Sequence, residues 1–127
     1  MSASREAGKR GEKFAEGLLR QRDCRILATN YHSRFGEVDI IAREEAFLLF
    51  VEVKTRRRGS VVSGVDAVTP AKQRKIIATA LQYLQEHPHE DLQPRFDVIS
   101  IETGQRGEIL DHEYLMGAFD GEFWEKL

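Results

Sequence analysis

Apolar residues recur at three- and four-residue spacing through the first twenty or so positions. Ala7, Phe14, Ala15, Leu18 and Leu19 fall on one stripe, which predicts an amphipathic helix running to about residue 22, with Ser4 or a neighbour as its cap. Gly8 and Gly11 weaken its first turns. The spacing then changes. Residues 25–30 (RILATN) read as a short strand, 31–36 as a turn, 38–43 as a second strand and 47–56 as the third and longest. Glu44 and Glu45 make a tight hairpin turn between the last two, which are therefore expected to pair antiparallel. Residues 57–68 hold Gly59 and Gly64 without periodicity and read as a loop. Thr69 followed by Pro70 is an N-cap with proline at the first helical position, and Ile77, Ala80, Leu81 and Leu84 stripe a helix that ends near His87 and Pro88. Beyond a polar link, 96–101 form a fourth strand and 108–111 a fifth. The tail from Tyr114 holds Phe119, Phe123 and Trp124, expected to pack on the domain surface, with a self-association patch as the alternative. This order predicts an α/β fold with a mixed sheet of four to five strands flanked by helices.

The third strand breaks its own pattern. Alternate side chains of a strand leave opposite faces, so Leu48, Phe50, Glu52 and Lys54 share one face of FLLFVEVKTR, and that face turns from apolar to charged halfway. A tight hairpin brings Asp39 near the level of residues 50–52, on the same side of its strand as Glu37 and Ile41. Glu12, on the first helix, is the third acidic candidate. Clustered carboxylates repel, and an ionised one buried without a partner costs several kcal/mol, so they call for a cation. Lysine compensates one; two or three are better neutralised by magnesium or manganese. A divalent metal polarises a phosphate and lowers the pKa of a water, and a nearby ammonium stabilises developing charge. That combination is the chemistry of phosphodiester cleavage. The competing reading makes Glu52 and Lys54 a plain charge pattern and Asp39 a solvated strand residue.

The charges are unevenly spread. Of 19 basic and 21 acidic residues, residues 54–75 carry seven basic and one acidic, including Arg56, Arg57 and Arg58 of the loop and Lys72, Arg74 and Lys75 of the second helix. A charge run is usually a solvated face; this one borders the anomalous strand. At 127 residues the chain reads as a single domain. The single cysteine, Cys24, excludes an intrachain disulfide and a Cys-rich zinc module. The absence of any long apolar run argues against a membrane span, and a cytoplasmic location is expected.

The strings GKRGEKFA (8–15), RILATNY (25–31), GEVDIIA (36–42), FVEVKTR (50–56) and RFDVISI (95–101) together resemble the YraN-like bacterial family. That family belongs with the PD-(D/E)xK nucleases and is similar to archaeal Holliday junction resolvases. Val38 stands where the signature has proline. The resemblance implies a restriction endonuclease-like core. It implies that Asp39 and Glu52 bind magnesium or manganese, that the Val53 carbonyl adds a ligand, that Glu12 contributes from the first helix, and that Lys54 positions or activates the attacking water. Lys72 matches a basic or amide position of similar enzymes. A homodimer is also implied, because resolvase-like proteins work as symmetric pairs.

Arg56, Arg57, Arg58, Lys72, Arg74 and Lys75 are the residues expected to meet backbone phosphates. No base-reading motif accompanies them, which favours branched or otherwise structured DNA over a defined sequence. His32, in the turn beside Ser33 and Arg34, is a candidate substrate contact. His87 and His89 read as a helix terminus, and Cys24 as a packed small residue. Two functions stay open: a magnesium-dependent, structure-selective endonuclease, and a non-catalytic nucleic-acid-binding or assembly module that retains the nuclease fold.

Overall fold

The computed structural model of the chain describes residues 3–59, 68–89 and 91–120. The greater part of the basic loop, Gly64, Phe123 and Trp124 lie outside those residues, as do the side chains of Ser4 and Ala7. The elements run α1 (Ala3–Gln21), β1 (Arg25–His32), β2 (Glu37–Glu44), β3 (Phe47–Arg57), α2 (Pro70–Glu86), β4 (Gln93–Thr103) and β5 (Ile109–Phe119). The strands form one mixed sheet in sequence order. β1–β2, β2–β3 and β4–β5 pair antiparallel, and β3–β4 pair parallel. Parallel neighbours require a crossover, and α2 supplies it.

β3 is central and covered on both sides, which is why its apolar run is continuous rather than alternating. Leu49 and Val51 pack with Ala15 and Leu19 of α1 and with Ile99 and Ile101 of β4. Leu48 and Phe50 pack with Ile76, Ile77, Ala80 and Tyr83 of α2. Each helix therefore covers one face of the sheet. α1 sits unusually close to β3: Gly11 is buried, and a Cβ added there would collide with the Thr55 side chain. Its glycine is a packing requirement, and the helical propensity lost at that turn is the cost of close approach. α2 starts as its sequence predicts, with the Thr69 hydroxyl accepting from Lys72 N–H at 3.2 Å and Pro70 opening the helix.

Several boundaries differ from expectation. β1 continues through Tyr31 and His32, paired with Val38 and Glu37, and the turn shrinks to 33–36. The β2–β3 turn falls at Glu45 and Ala46, where Glu45 takes φ 52°, and Glu44 remains in β2 opposite Phe47. β4 starts three residues earlier, and the segment read as a surface tail is the longer part of β5, with Tyr114 opposite Ile99 and Phe119 opposite Phe96. β5 is an edge strand with one face open to water, so its polar residues hide the period of two. No helix among the described residues is long and apolar enough to cross a membrane.

Candidate active site

The β2–β3 ladder runs from Glu44 opposite Phe47 to Ile40 opposite Val51. One step further, the strands part. The Val53 N–H donates to Asp39 Oδ2 at 2.8 Å, so a carboxylate takes the place of a ladder carbonyl. The N–H and C=O of a strand residue leave by the same edge, which turns the Val53 carbonyl toward Asp39 as well. The hairpin's register places Glu52 across from Asp39, near enough for the two carboxyls to hydrogen-bond when one is protonated. Glu52 is only 5 % exposed.

These surroundings set the charge of the pair. Burial pushes the Glu52 carboxyl up to about 8, the hydrogen bond and negative charge of Asp39 push the same way, and Lys72 and Lys54 oppose them. The pair therefore holds a proton at neutral pH. Glu12 approaches from α1. Its carboxyl is raised by burial, then by the charges of Asp39, Glu37 and Glu16, with Lys9 opposing. Lys72 lies in the first turn of α2, a turn with no acidic residue, so the partial positive charge of the helix N-terminus adds to its ammonium. The fork thus gathers Asp39, Glu52, Lys54 and Lys72 from three elements, with Glu12 within electrostatic range.

Among the described residues, no three Asp, Glu, His or Cys side chains converge to hold a metal ion. The tight unit is the Asp39–Glu52 pair. Two carboxylates and a backbone carbonyl are hard oxygen donors, and magnesium needs only one or two carboxylates because it keeps waters and takes substrate phosphate oxygens. The donor set fits such an ion. A buried carboxyl kept protonated by its neighbour is what a divalent cation relieves.

The expected phosphate contacts divide into two groups. Arg58 Nε is bound to Glu102 at 2.8 Å. Arg56 shares a small hollow with Glu102, Asp111 and Glu113 on the β4–β5 side, and Arg57 is exposed beside Arg58. Lys72, Arg74 and Lys75 lie along α2, with Arg74 and Lys75 exposed. His32 is exposed, 3.8 Å from Glu37. Cys24 is buried against Glu44, which together with burial raises its thiol to about 11 and leaves it unreactive.

Two features had no signal in the sequence. On β4, opposite Val51, Asp97, fully buried, accepts from Arg95 Nε and Nη2, both at 2.9 Å, from Gly117 N–H at 2.9 Å and from the Tyr114 hydroxyl. Arg95 also reaches Glu44 at 3.1 Å. This network ties β2, β4 and β5 together and is internally satisfied. The second feature is the 33–36 turn, held on α2 by the 2.7 Å contact of Ser33 Oγ with Thr79 Oγ1. Both depend on residues more than forty positions apart, which periodicity does not reveal.

Residues 11–101 match the family described as "Uncharacterised protein family UPF0102". A UPF0102 protein of Syntrophotalea carbinolica is 45% identical over 117 residues, covering 92% of this chain and 94% of that one. One from Pelobacter propionicus is 46% identical over 121 residues, covering 92% and 84%. A third, from Dictyoglomus turgidum, is 41% identical over 116 residues, covering 91% and 98%. Glu12, Asp39, Glu52, Lys54 and Lys72 all lie inside the matched span.

Proposed function

Since the chain belongs to the UPF0102 family, and since its carboxylate pair lies inside the span that matches that family, we propose that it is a metal-dependent endonuclease. Its substrate is DNA with branched or otherwise irregular structure, cut in the manner of a Holliday junction resolvase. The observation that carries this reading is the contact of Asp39 with Glu52 at the strand fork, flanked by Lys54 and Lys72.

In this reading Asp39, Glu52 and the Val53 carbonyl hold magnesium or manganese, with Glu12 completing the acidic cluster from α1. The ion supplies Lewis-acid polarisation of the phosphate and a more acidic water. Lys54 orients the attacking water and stabilises the negative charge that builds on the phosphate oxygens. Lys72 and the N-terminus of α2 anchor the neighbouring phosphate. Hydrolysis forms one P–O bond from water and breaks one P–O bond of the backbone. The water proton passes to solvent, and the leaving oxygen takes one up.

A second reading keeps the fold without turnover, as a nucleic-acid-binding or assembly module. It draws on the absence, among the described residues, of a third converging carboxylate. A cleavage panel of four-way junction, flap, single strand and linear duplex, run with wild type and with Asp39→Asn, separates the two. The nuclease reading expects magnesium- or manganese-dependent cutting of the junction or flap ahead of duplex, lost in the variant. Salt-sensitive binding with no cutting of any substrate supports the module.

A further inference from the structure

The 33–36 turn and the outer face of α2 enclose an open groove of about 820 Å³. Phe35, Ala78 and Leu81 supply its apolar surface, and Arg34, Arg74 and Lys75 supply positive charge. Phe35 is 42 % exposed, one of the few large apolar side chains left open to water among the described residues. The Arg34 guanidinium lies over its ring, 4.8 Å from the centroid. The turn is built to hold that ring in place. Ser33 Oγ accepts from Phe35 N–H at 3.0 Å and meets Thr79 Oγ1 at 2.7 Å, while Thr79 donates to Lys75 O at 2.8 Å. A Cβ at Gly36 would come within 3.3 Å of Lys75 Cβ, so the turn lies directly on the helix.

The groove lies along the same helix that brings Lys72 to the fork. Lys72, whose charge acts on Glu52, stands one turn of α2 before Lys75. At 1.5 Å rise per residue, Lys72 and Leu81 are about 14 Å apart. Charge is also graded along the groove. The cations cluster at the end nearer the fork, and Glu86 lies toward the far end, where it accepts from Gln82 at 3.1 Å and from the Tyr31 hydroxyl at 3.0 Å. A phosphate is therefore favoured near Lys75 and disfavoured near Glu86. An aromatic face, an arginine plane and flanking cations are what an unpaired nucleotide requires: stacking for the base, positive charge for its phosphate.

We propose that this groove receives an unpaired nucleotide of a DNA strand splayed from its duplex, with the base stacked on Phe35 and the phosphate held by Arg74 and Lys75. The proposal rests on the nucleic-acid reading above and gives it a source of structure selectivity. Fully paired DNA has no free base face to offer, so Phe35 adds nothing to duplex binding. A fork or junction arm gains one stacked base.

Binding is tested by fluorescence anisotropy in EDTA, where no cutting interferes, with a labelled forked duplex and a fully paired duplex of equal length. Wild type is expected to bind the fork about tenfold more tightly than the duplex. Phe35→Ala is expected to lose that preference with duplex affinity unchanged, and Phe35→Tyr, which keeps the ring, to retain it. Leu81→Glu places a negative charge in the groove without touching the turn and is expected to lower fork affinity selectively. A 2-aminopurine in the fork arm should be quenched by wild type and not by Phe35→Ala. A fork preference equal in wild type and Phe35→Ala overturns the groove, as does equal binding of fork and duplex by wild type. Either outcome accompanied by metal-dependent cutting leaves the nuclease reading intact. Failure to bind any DNA overturns both.

Discussion

At the scale of single residues, the site turns on a proton. Glu52 ionises near pH 8 in the fold against an ordinary 4.5. Between those values the folded protein binds more protons than the unfolded chain, so stability falls as pH rises through that window. For a side chain this buried, the loss is on the order of a few kcal/mol. In EDTA, wild type is expected to melt at a higher temperature at pH 5 than at pH 8.5 on account of this group. Glu52→Gln, which stays neutral, should melt above wild type at pH 8.5 and close to it at pH 5. A melting temperature for the variant that tracks wild type across the range contradicts the assignment. Added magnesium or manganese should reverse the alkaline loss in wild type and leave Glu52→Gln unmoved, since a ligand bound only by the folded state stabilises it. That Asp39 and Glu52 would meet was legible in the sequence, because a short hairpin leaves little freedom of register. The bond from Val53 N–H to Asp39 was not. It depends on where the ladder ends, and that is decided by how the strands splay rather than by any residue type.

At the scale of elements, the site depends on how near α1 and α2 come to β3. Gly11 is the clearest case. Alone in the sequence it looked like a weak point in a helix, whereas in the fold it lets α1 approach Thr55 and carry Glu12 to the fork. Gly11→Ala should cost about 1–3 kcal/mol by overpacking. Thr55→Ser removes the methyl that the new Cβ would strike, so the double variant is expected to recover most of that loss in chemical denaturation. If Gly11→Ala and the double variant are equally destabilised, the close approach is not what the glycine serves. α2 was readable because its start has a chemical signature. Thr69→Ala should cost about 1 kcal/mol and loosen the turn that carries Lys72. β5 was under-read for the opposite reason: as an edge strand facing water on one side, it carries Asp111, His112 and Glu113 where a buried strand would alternate.

At the scale of the whole molecule, the basic residues of 54–75 are parted between two places in a chain whose net charge is −2. Arg58 and Arg56 keep company with acids of β4 and β5, and the α2 cations with the fork and its groove. Binding to DNA should therefore weaken as salt rises, with a slope lowered by about one for each phosphate-contacting lysine removed from α2. The fold class and the pairing of β2 with β3 followed from patterning, because a buried central strand leaves a long apolar run. The division of the basic segment did not follow, because charges close in sequence were sent to different neighbours by the strand and helix that bear them. The most direct measurement is the single-turnover rate of junction cleavage against magnesium concentration, for wild type and Lys54→Ala. The account predicts a rate that rises and saturates with metal in wild type and falls about a hundredfold or more in the variant, with its metal-induced rise in melting temperature retained. Equal rates in the two proteins would contradict it.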